Sequence, residues 1–149
     1  MEPVGCGCPP TQSLGRVHHV FVNVTDLARS RTFYDWLMPQ LGYETTWPWG
    51  DSCGYLAPGG SFWIKRADPR LGNGGFHKDR VGLCEIAFAA GSRAEVDALA
   101  TALVARGVPL LDAPREYPDY VPGYYAVFFT DPDGVKLELV HIPGYGATP

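Results

Sequence analysis

Between Val17 and Val24 the chain alternates: Val20, Val22 and Val24 fall on one face, His19, Phe21 and Asn23 on the other. That is the period of a strand covered on one side. The spacing then becomes helical. Leu27, Tyr34, Leu37, Met38 and Leu41 mark one stripe, Thr25 or Asp26 can cap its start, and Gly42 ends it. Strand-like runs follow around Tyr43 to Trp47, Cys53 to Ala57 and Ser61 to Arg66. After a connector rich in glycine and charge, the same grammar returns. Leu83 to Ala90 reads as a strand, with Glu85, Ala87 and Ala89 opposite the bulkier Cys84, Ile86 and Phe88. Ser92-Arg93-Ala94-Glu95 is a capping box ahead of a stripe at Val96, Leu99, Leu103 and Val104, closed by Gly107. Strands near Val108 to Leu111, Tyr124 to Thr130 and Val135 to Ile142 complete it.

The order β-α-β-β-β thus occurs twice, which predicts an α+β fold of two packed βαβββ modules, each helix covering one face of a half-sheet. The expected divisions are a flexible arm over 1–15, a first module over 16–67, a connector over 68–80, a second module over 81–143 and a tail over 144–149. The other bulk properties narrow the function. A chain of 149 residues with 46% hydrophobic and 19% charged residues can bury a core without staples. A net charge of −4 with no basic run argues against nucleic acid. No apolar stretch approaches a membrane span and no signal pattern opens the chain, so the expected compartment is the cytoplasm. Cys6, Cys8, Cys53 and Cys84 are too scattered for a disulfide framework, and Cys6-Gly7-Cys8 alone is a poor zinc site.

The stretch Phe128 to Val140 is the most specific. Asp131-Pro132-Asp133-Gly134 is a tight reversal between two apolar runs. In the second run Glu138 shares a face with Val140 and Ile142, opposite Leu137 and Leu139. A carboxylate there needs a positive partner, either a metal ion or a basic side chain.

Together, His19-Val20, Asp26-Leu27 and Phe33-Tyr34 in the first module, with Ile86-Ala87-Phe88, Asp131-Pro132-Asp133-Gly134 and Glu138-Leu139 in the second, resemble the vicinal oxygen chelate superfamily. This is the glyoxalase/bleomycin-resistance/dioxygenase fold, and the resemblance runs from Val17 to Pro143. It implies a cup-shaped mixed sheet with helices on its outer face and a divalent metal on the concave wall. His19 and Glu138 match family ligand positions. Glu85 stands where many members carry a second histidine, and the nearest residues to a fourth ligand position, Ile64 and Lys65, are poor donors. One histidine with two carboxylates suits Mn, Fe or Mg, with Ni and Zn as alternatives. Glu85 and Glu138 are then also the candidate catalytic groups, in a metal-dependent lyase, isomerase or dioxygenase.

The competing expectation is a metal-free protein that binds or sequesters a small molecule. In that case Lys65 pairs with Glu85 or Glu138, or Arg16 or protonated His19 meets Glu138. Either way the expected pocket lining is Trp47, Trp49, Trp63, Lys65, Arg115, Tyr120, Tyr125 and Phe128, facing a planar or partly apolar ligand. A homodimer is expected, and if its modules are exchanged, His19 of one subunit meets Glu85 and Glu138 of the other.

Overall fold

A computed structural model describes residues 15–71 and 74–144. The first module runs β1 (His19–Val24), α1 (Leu27–Gln40), β2 (Thr45–Trp49), β3 (Ser52–Ala57) and β4 (Gly60–Arg66). The second runs β5 (Ile86–Ala89), α2 (Arg93–Ala105), β6 (Leu110–Glu116), β7 (Tyr125–Thr130) and β8 (Lys136–His141). Each module is a four-stranded mixed sheet, in the orders β1-β4-β3-β2 and β5-β8-β7-β6. In each, the strand preceding the helix lies parallel to the last strand, and the other pairs are antiparallel. The fold is therefore α+β, built of two βαβββ modules. No helix among the described residues is long and apolar enough to cross a membrane. The arm proposed over 1–15, with Cys6 and Cys8, lies outside the described residues except for Gly15.

Local chemistry explains the element ends. Asp26, rather than Thr25, caps α1, its carboxylate accepting from the Arg29 amide at 3.0 Å. Ser92 caps α2 through the Glu95 amide at 3.2 Å, and the Glu95 carboxylate reaches back to the Gly91 amide at 2.6 Å. Strand β5 is shorter than the alternation suggested, starting at Ile86 instead of Leu83. Its partner β8 begins only at Lys136, after the reversal, so the backbone before Glu85 has nothing to pair with. Strand β6 extends past Leu111 to Glu116 with two register shifts against β7, the second of which spans Pro114.

The helix-bearing faces of both modules share one core. Val22, Val24, Phe62 and Ile64 from the first sheet join Val127, Phe129, Leu137 and Leu139 from the second, with Tyr34, Leu37, Leu99 and Leu103 of the helices. Phe62 meets Phe88 across the modules at 6.0 Å between ring centres. The reversal between β7 and β8 also clasps the two modules. Asp131 is buried and accepts a hydrogen bond from the Tyr34 hydroxyl at 2.9 Å, while its other oxygen takes the amides of Asp133 and Val135. Asp133 receives the Thr25 amide at 2.9 Å, the Thr25 hydroxyl and the Arg29 guanidinium at 2.8 Å. Burial raises the Asp131 carboxyl above its ordinary value, against the pull of these donors.

Candidate functional site: the uncovered sheet faces

Because the core takes one face of each sheet, the chemistry lies on the other. On the first sheet, cross-strand register aligns Trp47, Gly54, Trp63 and Phe21 in one row, and Trp49, Ser52, Lys65 and Asn23 in the next. Phe21 stacks on Trp63 at 5.2 Å, and Trp49 stands edge-on to Trp63 at 6.4 Å. The indole nitrogen of Trp63 donates to the Ser61 hydroxyl at 2.9 Å. A Cβ at Gly54 would come within 2.6 Å of the Trp63 ring, so glycine is what lets the indole lie across β3. Trp47 is 58% exposed and Trp49 67%. These rings form a broad aromatic platform on a rigid strand scaffold. Lys65 stands at its edge, exposed and with no acidic partner among the described residues.

On the second sheet, Ala87, Glu138, Phe128 and Asp112 form one row. Glu138 is buried, only 1% exposed, and accepts from the Tyr124 hydroxyl. Burial pushes its carboxyl up and the Glu85 charge adds to that; the Tyr124 bond and the Lys136 ammonium act against it. Tyr124 is pushed up in turn, by burial and then by its bond to Glu138. Lys136 lies with its Nζ 2.8 Å from Glu85 Oε2 and 4.5 Å from the centre of the Phe128 ring. The Lys136–Glu85 contact is an ion pair poorly angled for a hydrogen bond, since Oε2 accepts none. Tyr117 and Tyr120 stack at 5.3 Å, Tyr117 stands edge-on to Phe128 at 5.4 Å, and Tyr124 stands edge-on to both tyrosines.

Several expected lining residues therefore divide. Trp47, Trp49, Trp63 and Lys65 share the first platform, and Phe128 and Tyr120 belong to the tyrosine cluster on the second sheet. Arg115 is not free to meet a ligand: it pairs with Asp112 at 3.1 Å and lies over Tyr117. Tyr125 faces the other way, its hydroxyl 2.6 Å from Asp97 of α2 and its ring under Arg93. Parity explains this, because Tyr125 shares its side of β7 with Val127 and Phe129, which enter the core. The partner of Glu85 is Lys136, not Lys65. Lys136 was legible in principle, since it sits two residues before Glu138 and so on the same side of β8.

Glu85 and Glu138 are near neighbours, whereas His19 lies on the other sheet, exposed, with its Nδ1 3.0 Å from Nδ1 of His18. Among the described residues of one chain, no three His, Cys, Asp or Glu side chains come together to hold a metal ion. The residues present do not fit a metal within one chain: the nearest cation to Glu85 is already an ammonium, and Glu138 is satisfied by a phenol.

The family model of the Glyoxalase/Bleomycin resistance protein/Dioxygenase superfamily matches residues 16–139, spanning both modules described above. The chain belongs to this superfamily. As a glyoxalase-superfamily member it is 35% identical over 124 residues to the uncharacterized protein YqjT of Bacillus subtilis (strain 168), covering 83% of this chain and 97% of YqjT. In structure it resembles a candidate glyoxalase from Bacillus halodurans, with a TM-score of 0.75 and 36% identity over 87% of this chain and 97% of the other. A glyoxalase/bleomycin resistance protein from Albidiferax ferrireducens T118 follows with a TM-score of 0.67 and 30% identity, over 84% and 98% of the two chains. The superfamily fold thus covers nearly all the described residues.

Proposed function

We propose that this protein binds a small planar molecule carrying an acidic group, without a resident metal, on the Phe21–Trp47–Trp49–Trp63 platform. Lys65 meets the acid. The single observation that carries the metal-free reading is the Lys136 ammonium 2.8 Å from Glu85, at the place a cation would otherwise take. Flat rings on a sheet give contact area at low entropic cost, and an unpaired ammonium at their edge adds a directional charge contact. A platform this exposed encloses little of a ligand, whereas small-molecule sites bury most of theirs. We therefore infer a homodimer in which a second copy lays its Tyr124–Glu138 face over the platform. Glu138 and Tyr124 then supply a proton-holding pair opposite the bound ring.

The test is tryptophan quenching by 2-naphthoate, beside its uncharged analogue 2-naphthylmethanol. Saturable quenching by the acid, weakened in K65A and absent in W63A, is expected. Equal affinity for both compounds, or none for either, sinks the reading.

A second reading, a metal-dependent enzyme, draws on one observation: two carboxylates, Glu85 and Glu138, stand together on one sheet face. In an exchanged dimer a partner's histidine at position 19 would join them. It predicts a divalent ion in purified protein that is lost in both E138Q and E85Q.

A further inference from the structure

A hollow of about 560 Å³ lies between β1 and the segment that joins β4 to β5. Its lining includes the buried Val22 and Val135 and the more open Phe21, Phe76, Val81 and Leu83. Phe76 packs against the shared core and so pins the joining segment there. Phe21, Val81 and Leu83 are exposed, Val81 fully so. Apolar side chains left in water around one concavity mark a surface that gains by being covered.

The charges around the hollow are unevenly matched. Two carboxylates line it, and each is already met by an arginine: Asp68 by Arg70 at 2.5 Å and Asp133 by Arg29 at 2.8 Å. His77 takes the Asp79 amide on its Nδ1 at 3.2 Å. Arg80, which also lines the hollow, has no acidic partner among the described residues. Its Nη1 donates to the carbonyls of Gly74 and Gly75, both at 3.1 Å. Gly75 has φ +68°, and this left-handed backbone turns two successive carbonyls toward one nitrogen. Nε and Nη2 form the guanidinium edge that grips a carboxylate through two parallel bonds, and neither has an acceptor among the described residues. The two carbonyls hold the guanidinium in place beforehand, so little side-chain freedom is lost when an anion arrives.

We propose that this hollow binds an aliphatic monocarboxylic acid, with Arg80 holding the carboxylate and the apolar lining covering the chain. The volume is that of a small-molecule site. One unpaired cation beside an apolar lining matches a ligand with one acid and one apolar tail. The aliphatic Val22, Val81, Leu83 and Val135 favour a flexible chain over the flat ring that the tryptophan platform takes. Phe21 and Asn23 border the platform too, but the anchor here is Arg80 and not Lys65. The proposal does not depend on the platform reading.

Isothermal titration calorimetry of the full chain with octanoate, beside 1-octanol, tests this. One octanoate per chain is expected, with 1-octanol bound at least about tenfold more weakly, since it lacks the charged contact. R80M should lose at least about the same factor, and R80K part of it, because an ammonium keeps the charge and not the fork. Arg80 also orders its own segment, so V81D provides a second measure. Val81 is fully exposed, the fold is spared, and a carboxylate at the rim should weaken octanoate severalfold by like-charge repulsion. K65A, which weakens naphthoate on the platform, should leave octanoate binding unchanged. Equal affinity for octanoate and 1-octanol, wild-type binding by R80M or V81D, binding lost in K65A, or no binding at millimolar octanoate would each overturn the proposal.

Discussion

Lys136 and Glu85 stand at the beginnings of two parallel strands, and their charges meet at 2.8 Å. The pairing of Ile86 with Leu137, continued back by one residue, puts 85 opposite 136. The contact follows from register, and it places a fixed positive charge beside two carboxylates on a face otherwise lined by alanine and aromatic rings.

Lys136→Met should therefore destabilise the protein. The side chains are 24% and 34% exposed, so the cost falls between that of a surface pair and an enclosed one, about 1–2 kcal/mol. The double variant K136M/E85Q should recover most of the loss. Urea denaturation of the wild type, both single variants and the double variant measures it, and an additive double variant would refute the pairing.

Gly54→Ala drives a methyl into the Trp63 ring, which must tilt off β3. The expected cost is about 1–3 kcal/mol, typical of overpacking. Tryptophan emission should shift, and naphthoate quenching should fall with it. An unchanged emission spectrum would show that the ring lies elsewhere.

Removing the Tyr34 hydroxyl leaves a buried Asp131 oxygen without its donor. Tyr34→Phe should cost about 1–3 kcal/mol, far above the usual effect of deleting one oxygen at a surface. D131N should cost at least as much, since Asp131 accepts through both oxygens and asparagine keeps only one acceptor. Thermal denaturation of the two variants gives the order.

Burial holds the Glu138 carboxyl above the ordinary glutamate value, so the folded chain keeps its proton at a pH where the unfolded chain has lost it. Its contribution is fully present below the unfolded value and is lost as pH rises through the raised folded one. E138Q lacks this titration. The stability of wild type relative to E138Q should therefore decline as pH rises across that window, and a difference independent of pH would contradict it.

Much of this was readable from the residues. Period two gave β1 and β8 with their buried faces, and the capping residues bounded both helices to within a residue or two. What escaped depended on distance along the chain. Alternation puts His19 and Glu138 each on an uncovered face, yet cannot tell whether two such faces meet in one molecule. Within one chain the helix sides join instead, through Phe62, Phe88 and the Tyr34–Asp131 bond. Tyr125 was misplaced because aromatic residues on both sides of β7 look alike until the register of Val127 and Phe129 is known. A lysine beside a turn, as Lys136 is, reads as solvated surface until the β5–β8 register sets it against Glu85.

The grip of Asp131 and Asp133 on Tyr34, Thr25 and Arg29 makes each half of the molecule a required part of the other. A nick in the exposed stretch 77–83 severs no strand and no core contact. Two polypeptides made separately and divided there should assemble into the native particle, whereas either one alone would lack half its interior.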